Sequence, residues 1–281
     1  VFDLATRLYG ITFKEVNNIP LYHPEVKTYE VYDNDGSFLA VLYTDFFPRE
    51  SKGGGAWMTQ FRGQKMVDGK DQRPLVSLVM NFTKPTDTKP SLLTFNEVTT
   101  FLHEFGHALH GMFSKCTYGS TSMDGVSRDF VELPSQFMEN YALEKEWLDT
   151  WAVHYQTGEK IPQEYIDKIK KSSNFQAGYA SDRQLSFGMV DMAWHTITEP
   201  VTEPLADFEQ RAMGKTEIMP LVKGSAFSPA FGHIFAGGYA AGYYGYKWAE
   251  VLDADAFSLF KQNGIFDKAT AESFRRNVLE K

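Results

Sequence analysis

His103-Glu104-Phe105-Gly106-His107 sets two imidazoles four residues apart, with a carboxylate beside the first. Four residues make about one helical turn, so both rings leave the same face of a helix. Two neutral imidazoles at that spacing can grip one metal ion. The adjacent glutamate can then act as base toward a water that the metal activates. The chemistry these residue types suit is metal-assisted hydrolysis. The pattern is short, and a chain this long matches it by chance roughly one time in a hundred, so its surroundings decide. Thr94-x-x-Glu97 is a capping-box start. Val98, Phe101, Leu102, Phe105, Ala108, Leu109 and Met112 then supply apolar positions on most sides of a helix over residues 94–113. A helix apolar nearly all round is buried. Buried histidines and a buried glutamate are costly unless paired or metal-bound, which argues against two solvated histidines on an exposed face.

A catalytic zinc takes three protein ligands and leaves one position open. The best third candidate is Glu132, in Asp129-Phe130-Val131-Glu132-Leu133-Pro134, at 132 − 103 = 29 residues from the first histidine. That distance lets the helix end near Phe113, a loop rich in Ser, Thr and Gly turn back, and a second helix lie against the first. The competing reading of Glu132 is a solvated helix carboxylate.

The segments HEFGHALH and RDFVELPSQFMENY together resemble the M3 family of zinc metallopeptidases, the thimet oligopeptidase / oligopeptidase A family. HPEVKTYEVYD, DFFPRESKGGGAWM and FGHIFAGGYAAGYYGYKW also look like family segments, in the same order, so the resemblance covers nearly the whole chain. The run HIFAGGYAAGYYGY is most similar to the dipeptidyl carboxypeptidase branch. The resemblance implies one bound Zn2+ held by His103, His107 and Glu132, with Glu104 as base and short peptides as substrates. It implies release of C-terminal dipeptides; an endo-acting oligopeptidase is the alternative within the family, and a catalytically incomplete zinc-binding fragment the alternative outside it. Family members are longer, with a large helical region before this segment, so the chain is expected to be the catalytic part of a longer protein whose N-terminal helical half is missing here.

Residues 233–246 form the second concentration of chemistry. Tyr239, Tyr243 and Tyr246 follow i, i+4, i+7 spacing, which on a helix aligns their hydroxyls. The competing reading is an aromatic packing stripe, and glycines at 237, 238, 242 and 245 oppose a stiff helix throughout. Negative charge develops on a carbonyl oxygen under attack, and a neutral donor aimed there lowers the barrier. The resemblance implies this role for Tyr246, with His233 beside it at the reacting centre and Tyr239 touching substrate. Tyr243 matches the motif too and is grouped with the substrate-binding residues. Metal-bound histidines usually donate their second N–H to an acceptor. Asp129, on the same helical face as Glu132 if residues 129–147 form one helix, is the named candidate, with Glu97 and Glu139 as rivals. A free C-terminal carboxylate on the substrate would need a cation, for which Arg183 and Arg49 are candidates.

These groups require elements to position them. A short helix over residues 2–9 closes at Gly10, and strands at 27–33 and 37–46 flank the hairpin turn Asn34-Asp35-Gly36. Further strands are predicted at 57–62 and 75–82. The latter is the candidate edge strand for an extended substrate, an ordinary core strand being the alternative. Gly53-Gly54-Gly55 lacks a phosphate-loop ending and reads as a tight or flexible loop. Helices are predicted at 94–113, 129–147, 162–175, 181–198, 204–213, 239–252 and 268–279, with Pro162 and Pro204 suiting helix starts. The fold class is mainly α with a small β-sheet, a zincin-like metallopeptidase catalytic domain: one domain over residues 1–281, its sheet at about 27–82 and its helical body at about 94–281.

Composition narrows the partners. With 43% hydrophobic residues a sizeable core is available. A formal net charge of −8 leaves no basic stripe for phosphates, so no nucleic-acid partner is expected. No apolar window is long enough for a membrane span, so no membrane partner is expected either. The single cysteine, Cys116, reads as an incidental thiol. A cytoplasmic location is expected, which a single cysteine fits; in a chain read as a fragment, the lack of a leader before Val1 says little about location. His110 is read as lying outside the ligand set, and His23, His154 and His195 as structural.

Overall fold

The computed structural model describes residues 1–219 and 222–281. In chain order the elements are α1 (Phe2–Tyr9), β1 (Thr12–Val16), β2 (Lys27–Tyr32), β3 (Phe38–Asp45), β4 (Trp57–Arg62), β5 (Lys65–Val67), β6 (Lys70–Gln72), β7 (Leu75–Val79), α2 (Phe95–Phe113), α3 (Leu133–Glu139), α4 (Lys145–Leu148), α5 (Gln163–Ser173), α6 (Ala177–His195), α7 (Leu205–Met213), α8 (Gly232–Phe235), α9 (Gly245–Asn263) and α10 (Lys268–Phe274). Helices dominate and the strands form one small mixed sheet, as expected, and a separate two-stranded hairpin that was not expected. The residues fall into two compact units. The first comprises Val1–Val126, Leu133–Ile161 and Leu252–Lys281; the second comprises Ser127–Glu132 and Pro162–Val251.

The first unit is built on a five-stranded sheet of order β1-β2-β3-β7-β4. Neighbours are antiparallel except β3 and β7, which run parallel. The expected β2–β3 hairpin forms around Asn34-Asp35-Gly36, with Gly36 at φ 82°, the left-handed conformation such a turn requires. Residues 75–82 are not an edge strand. The ladder stops at Val79, and β7 lies inside the sheet between β3 and β4, so the edge beside it belongs to β4. Two short pieces escaped the sequence reading. β1 is a largely exposed edge strand without clear alternation, and β5–β6 is a polar hairpin turning at Asp68 and Gly69, both with positive φ.

Against β7, β4 and β3 lies α2. Its start is the expected capping box: the Thr94 hydroxyl accepts from the Glu97 amide, and the Glu97 carboxylate accepts from the Thr94 amide. Such a cap is worth about 1 kcal/mol. Leu102, Phe105, Ala108, Leu109, Met112 and Phe113 are buried, each of the larger side chains contributing roughly 1.5–3 kcal/mol by leaving water.

The predicted helix over 129–147 is broken in the structure. Residues 128–132 form a turn, α3 begins at Leu133, a 3-10 turn follows over Asn140–Leu143, and α4 is a single further turn. Pro134 explains the late start. It has no N–H, and inside a helix its ring would collide with the carbonyl four residues earlier, whereas in a first turn it costs nothing. Asn140 explains the early end, because its side-chain amide donates to the carbonyls of Gln136 and Phe137. Behind α3, Phe137 stacks on Phe274 and meets Phe257 and Phe260 edge-on, an aromatic core for this end of the unit.

The second unit contains α5 to α8 and the first residues of α9. Its core gathers Phe187 and Val190 of α6 with Phe208 and Met213 of α7, and Trp194, Phe227, Phe231 and Tyr243 pack around them. The predicted helix over 239–252 does not begin at Tyr239. Residues 240–244 are turns, and α9 starts at Gly245 and runs to Asn263. Gly238 at φ 84° and Ala241 at φ 53° take left-handed backbone that a helix excludes.

Candidate active site

In the first unit, α2 presents His103 and His107 from one face, their rings edge-to-face with centroids 5.0 Å apart. Glu104 points into the protein and is 7% exposed. Gly106, the fourth residue of the motif, marks where α3 crosses α2. A Cβ there would sit 2.3 Å from the Pro134 carbonyl oxygen and 2.6 Å from the Ser135 Cα. Only glycine permits that approach. The crossing brings Glu139, at the end of α3, to His103, whose Nδ1 lies 2.6 Å from Glu139 Oε1. A cleft of about 460 Å³ opens here, lined by Asn96, Thr99, Thr100, His103 and Glu139.

Glu132 is joined to Leu133, the first residue of α3, by one peptide bond, and is 1% exposed. His103, His107 and Glu132 each offer a donor atom, and these atoms lie within 4.8 Å of one another. The three predicted ligands are thus gathered, one turn of α2 supplying the imidazoles and the residue before α3 the carboxylate. Two ring nitrogens and one carboxylate oxygen are the donor set of a catalytic zinc. The Glu139 carboxylate beside His103 Nδ1 is the kind of partner that fixes the tautomer of a metal-binding histidine.

That partner is Glu139 rather than Asp129. Because Pro134 delays the helix, Asp129 and Glu132 share no helical face, and Asp129 instead accepts from the Ser127 and Tyr244 hydroxyls at 2.7 and 2.8 Å. Glu97 is engaged in the α2 cap. His110 is fully buried, 3.3 Å from the Lys281 carbonyl oxygen, and burial pulls its pKa down to about 4. His23 and His154 accept backbone amides in turns. The Cys116 thiol donates to the Thr121 carbonyl.

In the second unit, Glu132 accepts a hydrogen bond from the Tyr239 hydroxyl. Tyr239 is sandwiched between His233, stacked at 4.5 Å, and Tyr246, stacked at 4.9 Å. His233 Nε2 lies 2.8 Å from the Tyr246 hydroxyl. Burial first, then the Glu132 charge, pushes both phenols well above the ordinary tyrosine range. Both therefore stay protonated and able to donate. Burial also lowers the His233 pKa, against a smaller opposing pull from Glu132. The tyrosines meet through bends rather than helical periodicity. Tyr243 turns the other way: its hydroxyl donates to Gln184 and its ring packs edge-on against Phe187 and Phe231.

Two residues of this cluster were missed. Arg128, exposed, lies over the Tyr239 ring at 5.0 Å. Asp191, fully buried on α6, accepts from the backbone amides of Ala241 and Tyr243, both at 2.9 Å. The signal for Asp191 was a lone carboxylate between Val190 and Met192 on a helix otherwise apolar there. Of the two candidate carboxylate binders, Arg49 is committed to Asp45 through two 2.8 Å bonds. Arg183 lies over the Phe187 ring and lines a cleft with Tyr179 and Glu217. The glycine run at 53–55 is a fixed turn, its carbonyls at Gly53 and Gly55 held by the Asn81 amide.

The sequence profile of peptidase family M3 matches residues 1–281. The chain belongs to peptidase family M3. It is similar to oligopeptidase A of Escherichia coli, 43% identical over 288 residues, covering 100% of this chain and 42% of that protein. It is 41% identical over 281 residues to the dipeptidyl carboxypeptidase of Salmonella typhimurium, covering 99% of this chain and 41% of that protein. A probable cytosolic oligopeptidase A of Arabidopsis thaliana is 42% identical over 291 residues, covering 99% of this chain and 42% of that protein. The M3 chain thus spans about two fifths of the length of these relatives. No helix among its described residues is long and apolar enough to cross a membrane.

Proposed function

We propose that residues 1–281 form one zincin-like catalytic domain that hydrolyses short peptides with a zinc-activated water, releasing C-terminal dipeptides. The observation that carries this reading is the gathering of His103, His107 and Glu132 with Glu104 buried on the same turn of α2. His103, His107 and Glu132 would hold the ion, which when bound supplies a Lewis acid that acidifies water and polarises a carbonyl. Glu104 takes the proton of the attacking water and passes it to the leaving amine. Tyr246, kept neutral and oriented by His233, donates to the carbonyl oxygen as charge develops there. Tyr239 braces Glu132 and contacts the peptide. The unpaired edge of β4 receives an extended peptide backbone as an added strand.

An endo-acting oligopeptidase is the second reading, favoured by the 43% identity to oligopeptidase A against 41% to a dipeptidyl carboxypeptidase. A cytoplasmic location is part of the proposal, supported by the relative named cytosolic.

The test is hydrolysis of N-terminally blocked peptides of graded length by the full-length protein, followed by mass spectrometry with metal content determined in parallel. Stepwise loss of C-terminal dipeptides is expected. Glu104→Ala should lower the rate by at least about 10²–10⁴-fold while zinc stays bound. Internal cuts would replace dipeptide release with the oligopeptidase reading. Bound zinc without cleavage would refute the enzymatic proposal.

A further inference from the structure

The segment from Ala236 to Tyr244 carries Tyr239 and leads directly into Tyr246, yet it has no regular secondary structure. Its own backbone bonds are turn bonds, such as Gly242 N–H to the Tyr239 carbonyl and Tyr246 N–H to the Tyr243 carbonyl. Ala241 sits at φ 53°, where a side chain with a Cβ is strained. Something outside the segment must hold this shape, since strained backbone persists only when its surroundings over-determine it.

Asp191 meets that requirement. It is fully buried in the second unit, a place where a carboxylate persists only when its oxygens are well paired. One oxygen accepts from Ala241 N–H and the other from Tyr243 N–H, each at 2.9 Å. These flank the bend and are charge-assisted, so they are stronger than the turn's own neutral bonds. His195, one turn further along α6, has its Nδ1 hydrogen-bonded to the Asp191 backbone carbonyl at 2.8 Å, and the same nitrogen lies 2.8 Å from Asp191 Oδ1. The exit of the bend is tightly packed too, because a Cβ at Gly245, the first residue of α9, would lie 2.9 Å from the Arg128 carbonyl oxygen.

We infer that Asp191 is a positioning residue: by clamping the amides of Ala241 and Tyr243 it sets where the Tyr239 and Tyr246 hydroxyls point, without touching substrate itself. The kinetic part of this inference rests on the peptidase proposal; the structural part stands alone.

The experiment compares wild type, Asp191→Asn, Tyr246→Phe and the double variant in the full-length protein. Amide hydrogen exchange across residues 239–246 is measured alongside peptide hydrolysis. Asparagine keeps the shape but turns an N–H toward one of the two amides. Protection at Ala241 and Tyr243 should fall while α2 and the sheet keep theirs. The value of kcat should drop about tenfold or more with KM within about twofold, the pattern of an interaction made only in the transition state. In the Tyr246→Phe background the same change should cost less than about twofold, because the two act as a unit. Unchanged protection, or an equal loss of kcat in both backgrounds, would overturn the inference. If Asp191→Asn alone yields no folded protein, Asp191→Asn with Ala241→Gly carries the same measurements, since glycine takes φ 53° without strain. Failure of wild type to hydrolyse any peptide would sink the peptidase proposal and leave the exchange measurement to decide on Asp191.

Discussion

Along α2 the reactive side chains are set by helical periodicity, whereas between Ala236 and Tyr244 they are set by bends that a distant carboxylate holds. In α2 one capping box, one apolar stripe and four-residue spacing determine where His103, Glu104 and His107 point. In the tyrosine segment, spacing in the sequence says little about spacing in space. Tyr239 and Tyr246 stack, while Tyr243 leaves for the core of its unit. A helix thus fixes its chemistry locally, and a glycine-rich bend delegates that task to a partner fifty residues away in the chain.

The contrast can be sharpened first at the tyrosine segment. Tyr246→Phe removes the proposed donor, and with it the hydroxyl that meets His233, so kcat should fall by about 10²–10³-fold with little change in KM. Steady-state kinetics on a blocked peptide checks this, and a KM effect alone would mean that the hydroxyl only binds. Gly106→Ala attacks the helical side without removing a reactive group. The added methyl meets the Pro134 carbonyl at 2.3 Å, so α3 must move. A loss of roughly 1–3 kcal/mol in urea unfolding is expected, together with weaker zinc retention. Unchanged metal content would show that the crossing does not hold Glu132 in place.

The third test uses pH. Folded, His110 stays neutral down to about pH 4; unfolded, it takes a proton near 6.5. Between those values the unfolded chain binds more protons, so this contribution is complete above about pH 6.5 and is lost as pH falls toward 4. The total is on the order of 3 kcal/mol. Urea unfolding of wild type at pH 7 and pH 5 should show a loss that His110→Gln lacks. Equal losses in both proteins would rule this histidine out as the source.

Much of the first unit was legible because its signals are local. Thr94 and Glu97 announced α2, Asn34-Asp35-Gly36 announced the β2–β3 hairpin, and Gly10 closed α1. What was misread before α3 also had a local sign: Pro134 bars the helix from extending back through Asp129, so Asp129 and Glu132 share no helical face. Asp68-Gly69 is a hairpin dipeptide whose flanks, Lys65-Met66-Val67 and Lys70-Asp71-Gln72, are too short to show alternation. The Glu139–His103 bond was out of reach, since it depends on where two helices cross. So were the path of residues 236–244 and the grip of Asp191, because periodicity reports on regular structure and that segment has none.

β4 has a consequence beyond catalysis. The edge that would accept a peptide has no neighbouring strand among the described residues and carries exposed Trp57 and Phe61, and such an edge accepts any strand offered to it. An open sheet edge is therefore also a standing route to self-association. The register irregularity between Gln60 and Arg62 breaks the ladder near its end, and a bulge there twists the strand away and shortens the stretch that another copy could zip along.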